Sequence, residues 1–320
     1  MGMKLRQLGA SDIYLSPIIM GTWQAGKTMW SGINDKESLR AIRAGFNSGI
    51  IAFDTAELYG NGHSERIIGE ALRGFRDQAV IASKVSPRHM RYNQVIAACE
   101  RSLRNLKTDY IDLYQIHWPS GSFGNKEVPV EETMEAMNEL KARGSIREIG
   151  LSNFSRTQLQ EALRYGSVQS IQPPYSLFWR HAEKDLIGYC AENSISVLAY
   201  SPMAQGLLTG KFKKGHIFQK GDHRIKNRLF SREISDNVQD ALTRISAFAR
   251  SKGVTMAQLA LAWVIAQPGT CAIAGARDEE QVKQNAKAEE IFLSDDDLAE
   301  LDMISRMVID SLDDNPVMWE

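Results

Sequence analysis

The sequence predicts an α/β fold, a (β/α)8 TIM barrel with an N-terminal β-hairpin and extra C-terminal helices. Two observations point there. Short β-like runs alternate with amphipathic helical segments along all 320 residues, the pattern of parallel strands joined by crossover helices. Unusual polar residues, Asp54, Lys84, His117 and Asn153, also stand at the C-terminal ends of successive strands. A closed barrel gathers those ends on one face, where barrel active sites lie. An open sheet would spread them along a line at about 4.8 Å per strand. Barrels of this length run as one domain, so residues 1–320 are expected to form a single barrel domain.

The elements follow in order. A hairpin of Lys4–Leu8 and Ile13–Leu15 is expected before the first core strand. Eight core strands are expected at Ile18–Met20, Ile51–Asp54, Val80–Lys84, Ile111–Ile116, Ile146–Leu151, Ser170–Gln172, Val197–Tyr200 and Thr270–Ile273. Helices at Asp35–Phe46, Ser64–Leu72, Tyr92–Leu106, Val130–Ala142, Gln158–Leu163 and Lys184–Ala191 fill the first six gaps. The seventh gap is longer. It holds a Gly- and Lys-rich loop, Gly206–Asn227, and helices at Asn237–Arg250 and Met256–Ala266. Glu279–Ala288 and Asp295–Met307 complete the set, the last after Ser294, an N-cap with acidic residues in the first turn. The tail Asp310–Glu320 either folds back over the barrel mouth or is disordered.

Composition removes several function classes. A net charge of -1 argues against a polyanionic partner such as nucleic acid. The cysteines Cys99, Cys190 and Cys271 form no C-x-x-C pair, and their odd count fits a reducing cytosol. The six histidines contain neither H-x-H nor H-E-x-x-H, so no metal-dependent hydrolase site is expected. The segment Met1–Leu8 lacks an apolar signal region, and no apolar stretch reaches about 18 residues, so a cytoplasmic protein with no membrane span is expected.

Three segments carry the chemistry. In FDTAELYGNGHSE, Phe53 to Glu65, an aspartate ends a strand, a tyrosine follows five residues later, and a Gly-rich turn opens a helix. Gly60 and Gly62 are not a dinucleotide fingerprint, because Glu65 replaces the third glycine. In IASKV, Lys84 closes an apolar strand; in DLYQIHWP, His117 follows one. Taken singly, Asp54 reads equally as a helix-capping or turn aspartate and Tyr59 as a rim aromatic, while Lys84 reads sooner as a snorkelling lysine and His117 as a structural histidine. Together they make a proton-donor site. Free tyrosine titrates near 10, and a nearby ammonium lowers that value by stabilising tyrosinate. Asp54 would hold the lysine, and His117 would orient a carbonyl whose oxygen gains charge.

From the Gly21–Trp23 segment to GAR, Gln281 and Asn285, nearly the whole chain resembles the aldo-keto reductase superfamily, in the bacterial-type branch that is similar to potassium-channel β subunits. The resemblance implies reduction of aldehyde or ketone carbonyls to alcohols with NADPH, which binds first. It implies that Tyr59 is the general acid, Lys84 its pKa modulator, Asp54 the lysine's partner and His117 the orienting group. It also implies a cofactor site with no Rossmann fold. Gly21, Thr22, Trp23 and Asp54 would contact the cofactor; Ser152, Asn153 and Gln172 would bind the nicotinamide carboxamide. Tyr200 would stack on the ring, although Asn153 or Ser155 reads equally well as a helix N-cap.

Ser201, Pro202 and the backbone through Gly206 resemble a pyrophosphate cradle, with Lys211 and Arg224 on the phosphate side. Gly275, Ala276 and Arg277 match the 2′-phosphate site and Gln281 and Asn285 the adenine contacts, which favours NADPH because arginine binds a dianionic phosphate bidentately. The chain departs from the pattern at Ala274, often proline, and Gln284, often glutamate. Trp23, Tyr59, His117 and Trp118 would form the substrate wall for a small-molecule carbonyl compound. Trp30 and Tyr92 join that wall or are packed rim residues. The same resemblance leaves a second class open, a cofactor-binding regulatory subunit whose output is binding a partner protein. The natural substrate and the oligomeric state are not legible.

Overall fold

The computed structural model describes residues 3–28, 30, 32–220 and 222–312. Two short antiparallel strands, β1 (Arg6–Gln7) and β2 (Tyr14–Leu15), open the chain. Eight parallel strands then close into a barrel: β3 (Ile18–Gly21), β4 (Ala52–Asp54), β5 (Val80–Val85), β6 (Ile111–Ile116), β7 (Ile146–Ser152), β8 (Ser170–Gln172), β9 (Ser196–Tyr200) and β10 (Thr270–Gly275). The last strand pairs with the first, with Ala272 opposite Ile18 and Gly275 opposite Gly21. The sequence-based strands hold to within a residue or two. Ile51 falls outside β4 only by boundary, since its carbonyl still accepts the Val80 N–H at 2.8 Å.

The ring outside the strands consists of α1 (Asp35–Asn47), α2 (His63–Ala71), α3 (Tyr92–Leu106), α4 (Val130–Ala142), α5 (Arg156–Ala162), α6 (Leu186–Glu192), α8 (Met256–Ala266) and α9 (Glu279–Ala286). Two more, α7 (Ser235–Ser251) and α10 (Asp295–Ile309), are the additions to the basic barrel. Each outer helix is apolar on one face, and those faces form one core with the outward side chains of the strands. In α8 nearly every residue is buried, as its run MAQLALAWVIA requires. Ser294 caps α10 as expected: its hydroxyl accepts the Asp297 N–H at 3.2 Å above a first turn of three aspartates.

The barrel interior is a second, smaller core. Ile19, Ala52, Ala82, Leu113, Leu198, Cys271 and Ile273 point inward, and the hairpin closes the floor with Leu8, Ile13 and Leu15. Each of those three is at most 2% exposed and contributes roughly 1.5–3 kcal/mol by burial. Arg6 ties the hairpin to the barrel by donating to the carbonyls of Ile265 and Thr270. The floor is therefore filled and the opposite mouth is left for chemistry. Of the tail read from Asp310 onward, residues 313–320 lie outside the described residues. Among the described residues, no helix is long and apolar enough to cross a membrane.

Candidate active site

Every barrel strand ends at a residue the sequence reading nominated or stands one residue from it. Gly21 closes β3, Asp54 β4, Ser152 β7, Gln172 β8, Tyr200 β9 and Gly275 β10; Lys84 is the penultimate residue of β5, and His117 follows β6. Strand register sets their heights. Gly21 lies opposite Asp54, Lys84 opposite Gln115, and Ser152 opposite Gln172.

Lys84 is the centre. Its side chain is fully buried, and its Nζ donates to Asp54 Oδ1 at 2.6 Å, to the Thr55 carbonyl at 2.8 Å and to the Tyr59 hydroxyl at 3.3 Å. Burial pulls the ammonium below its ordinary value, and the charge and hydrogen bond of Asp54 hold it up. The other oxygen of Asp54 accepts from the side-chain amides of Gln172 at 3.0 Å and Gln115 at 3.4 Å. Gln172 also donates to Gln115 Oε1 at 3.2 Å. A Cβ on Gly150 would come within 2.9 Å of the Gln115 side chain, so glycine there makes room for this pair.

The Tyr59 hydroxyl does not behave as the ammonium alone would dictate. Its pKa is raised well above the ordinary 10.0, first by burial and then by the Asp54 carboxylate. The ammonium lies nearer to Asp54 than to Tyr59, so its field at the phenol is largely cancelled. The expected depression is corrected to an elevation, and Tyr59 holds its proton firmly. His117 is driven the opposite way. Burial and the Lys84 charge push it well below 6.5, so it is a neutral imidazole. Its ring meets Tyr59 edge-on at 5.7 Å and stacks on Trp118 at 4.0 Å, and its buried Nδ1 has no hydrogen-bond partner among the described residues. Trp23 stands 6.5 Å from Tyr59 on the other side. A protonated phenol, a neutral imidazole and two tryptophans thus border one opening, an arrangement able to give a proton to an oxygen placed there.

On the far side, Asn153 has a left-handed backbone (φ 61°) that turns its amide inward. Its Nδ2 donates to the His117 carbonyl at 2.9 Å, and its Oδ1 accepts from the Tyr200 hydroxyl at 2.9 Å. Ser155, not Asn153, caps α5, accepting the Gln158 N–H at 3.3 Å. Ser152 donates to the Gln172 carbonyl at 3.0 Å. Beyond Tyr200 the chain turns through left-handed residues Ser201, Ala204, Gln205 and Gly206, a backbone form that presents amides to an anion.

Three cations gather past that turn. The Lys211 ammonium is pushed down, first by burial and then by the charges of Arg224 and Arg277, with Asp222 opposing. Arg224 pairs with Asp222 at 2.5 Å and lies 5.8 Å from the centre of the Trp30 ring, while Arg277 lies 5.2 Å from the same ring. Cations that repel one another favour a multiply charged anion between them, so the residues fit a phosphate-bearing dinucleotide. Gln281 and Asn285, the expected adenine contacts, lie on α9 just past the turn that follows β10. Gln281 accepts the Arg277 N–H and donates to Asp278 at 2.8 Å, and Asn285 donates to the Gly275 carbonyl at 3.2 Å; both hold the turn. Gln24 donates to the Ala276 carbonyl at 2.7 Å and braces the same turn from the short helical turn that follows β3. Gln284 binds α9 to α8 through Gln258.

Trp30 belongs with Trp23, 5.3 Å away, on the cation side of the mouth. Tyr92 does not join the site; it opens α3, where its N–H donates to Glu132 and its ring packs on the outer core. Glu65 is fully buried, accepting from Ser83 Oγ at 2.6 Å and Asn105 Nδ2 at 2.9 Å. That explains why the third glycine of a dinucleotide motif is missing. Gln115 was not foreseen, yet counting back two residues from His117 along β6 reaches the same face. Among the described residues no group of three or more His, Cys, Asp or Glu is placed to hold a metal ion.

Comparison with known proteins is consistent with this geometry. A sequence model of the "Aldo/keto reductase family" matches residues 17–306. The chain is 36% identical over 314 residues to Aldo-keto reductase YhdN of Bacillus subtilis, covering 94% of this chain and 93% of that one. It is 35% identical over 322 residues to an NADH-specific methylglyoxal reductase of Escherichia coli, covering 92% and 96%. Among solved structures, the glycerol dehydrogenase AKR11B4 from Gluconobacter oxydans superposes with a TM-score of 0.88 at 32% identity, over 97% of both chains. An aldo-keto reductase from Klebsiella pneumoniae in complex with NADPH does so at 0.77 and 36%, over 95% and 96%. With a closed eight-stranded barrel, a mouth ringed by these residues and a family match over most of its length, the chain belongs to the aldo/keto reductase family of oxidoreductases.

Proposed function

We propose that this chain, a single barrel domain over residues 1–320, reduces aldehyde or ketone carbonyls to alcohols with NADPH. The observation that carries the reading is the fully buried Lys84 held between Asp54 and the Tyr59 hydroxyl at the barrel mouth. A buried ammonium survives only with a partner, and this one extends its remaining donor toward a phenol at the opening. When bound, NADPH supplies the hydride that reaches the carbonyl carbon. Tyr59 donates its proton to the carbonyl oxygen, and His117, neutral, orients that oxygen. Trp23 and Trp118 exclude water from the mouth. Asn153, Ser152 and Tyr200 would hold the nicotinamide end, the turn from Ser201 and Pro202 to Gly206 the pyrophosphate, and Lys211, Arg224 and Arg277 the phosphates.

The test adds NADPH, and separately NADH, to the purified protein with 4-nitrobenzaldehyde and follows the nicotinamide absorbance. Aldehyde-dependent oxidation of NADPH, faster than that of NADH, is expected. Faster use of NADH, as the name of the Escherichia coli relative describes for that protein, would overturn the cofactor choice. Tight NADPH binding without turnover on any carbonyl would favour the partner-binding reading.

Arg277→Ala separates the two cofactors further. Loss of charge-assisted bonds to a 2′-phosphate is worth about 1.5–3 kcal/mol, so the Kd for NADPH should rise roughly 10- to 150-fold. The Kd for NADH, which lacks that phosphate, should change by less than about threefold. Equal losses measured by fluorescence titration would remove Arg277 from the phosphate site.

A further inference from the structure

Tyr59 sits in the loop between β4 and α2, while Lys84 sits on β5. Their 3.3 Å contact depends on how firmly that loop is fixed to that strand. The β4–β5 ladder continues past Asp54, with the Thr55 N–H donating to the Ala82 carbonyl at 2.8 Å and the Glu57 N–H to the Lys84 carbonyl at 3.3 Å. The next rung is made by a side chain. Glu57 Oε1 accepts the Ser86 N–H at 2.6 Å, so a carboxylate occupies the place where the ladder would need another backbone acceptor. The chain then turns away, and the Glu57 carbonyl accepts the Gly62 N–H at 2.8 Å.

The carboxylate is nearly buried, with 10% of its side chain exposed, and it is held from outside as well. His89 Nδ1 hydrogen-bonds Oε1 at 2.9 Å, and Arg101 Nη2 donates to Oε2 at 3.2 Å. Glu57 therefore grips the chain just past β5, two residues beyond Lys84, from a point in the loop two residues before Tyr59. No other side chain in the described loop from Thr55 to Gly62 hydrogen-bonds a backbone N–H of the β5 exit.

On the other flank the loop packs closely against Gly26: a Cβ on Gly60 would lie 2.2 Å from the Gly26 carbonyl oxygen. The loop has no room to shift that way, so its freedom lies toward β5, where Glu57 closes it.

We propose that Glu57 is a positioning residue for the proton-donating step: its bond to the Ser86 amide sets the distance between the Tyr59 hydroxyl and the Lys84 ammonium. This rests on the reductase reading above. Without the strap, the loop samples placements in which the phenol is off line with the carbonyl oxygen. Displacements of about 1 Å from such distant changes cost up to 100-fold in rate. Substrate and cofactor binding do not use Glu57 and stay as they are. A glutamine retains an oxygen that can accept the Ser86 N–H and so retains the strap.

The experiment compares Glu57→Ala, Glu57→Gln and Arg101→Ala with the unaltered protein, loading each with NADPH. Single-turnover oxidation by 4-nitrobenzaldehyde is followed, scaled to the NADPH-binding sites counted by fluorescence. Glu57→Ala is expected to slow the single turnover roughly 10- to 100-fold. Its KM for aldehyde and Kd for NADPH should stay within about threefold, and its solvent isotope effect should be larger because proton transfer becomes limiting. Glu57→Gln and Arg101→Ala should stay within about threefold of the unaltered rate, because both keep the strap. An unchanged rate per binding site in Glu57→Ala would overturn the inference. A loss of roughly tenfold or more in Glu57→Gln would overturn the Ser86 strap as its basis, and this arm decides alone if the alanine variant does not fold. Absence of turnover in the unaltered protein with any carbonyl would instead overturn the reductase reading together with the inference built on it.

Discussion

Tyr59→Phe should lower the rate of carbonyl reduction by roughly 100- to 10,000-fold while leaving NADPH affinity almost unchanged, as loss of a general acid does. Phenylalanine keeps the ring that Trp23 and His117 pack against and removes only the hydroxyl. No neighbour can replace it, because His117 is neutral and the Lys84 ammonium already donates to Asp54 and Thr55. The pH profile carries the same argument. A phenol whose pKa lies above 10.0 keeps its proton at every ordinary pH, so reduction needs no ionisation and its rate should stay level from about pH 6 to about pH 9. Alcohol oxidation needs the phenolate instead, so its rate should climb with pH over the same range. Stopped-flow rates in both directions check both statements. A reductive rate that falls steadily between neutrality and pH 9 would mean that the elevation is lost once the site is loaded. Unchanged turnover in Tyr59→Phe would remove the residue from the mechanism.

Lys84→Met is the more destructive change because it acts on charge as well as rate. Methionine fills the volume but leaves the Asp54 carboxylate buried with only the amides of Gln115 and Gln172. Removing one partner of such a pair costs about 3–5 kcal/mol, so the midpoint of thermal unfolding should fall by several degrees. Turnover should fall by roughly three orders of magnitude, since the charge beside the phenol becomes purely negative and its proton harder to give. Adding Asp54→Asn removes the stranded carboxylate and should recover most of the lost stability without recovering the rate. Calorimetry and single-turnover kinetics on the two single variants and the double variant separate these effects. Recovery of activity along with stability would mean that Lys84 serves only to neutralise Asp54.

The barrel was legible because its strands are short and apolar and end abruptly in a polar residue. Asp54, Lys84 and His117 mark three exits that no helix or turn would place at that rhythm. The tetrad came together for the same reason: parallel strands in register deliver their last residues to one rim. Electrostatic consequences were less legible. Whether Lys84 lowers or fails to lower the Tyr59 pKa turns on a difference between 2.6 and 3.3 Å, which no spacing of letters encodes. Side chains that support the site were hidden by their ordinary appearance. Glu57 looks like a solvated loop carboxylate, and nothing in the letters of Gln281 and Asn285 shows that they also hold the turn after β10. Whether Asn153 or Ser155 would cap α5 stays open in the sequence because the left-handed backbone of Asn153 leaves no trace in composition.

The seam between β3 and β10 joins residues more than two hundred positions apart, Ile18 with Ala272 and Gly21 with Gly275. During synthesis β3 is made more than two hundred residues before its neighbour β10, so throughout that interval the open edges of β3 and of the newest strand have no partner. Such edges are apolar, unpaired and prone to join those of another chain. Expression yield for this protein should therefore depend more on how fast the segment through Gly275 emerges, and on chaperones that shield the waiting edge, than on the stability of the finished barrel.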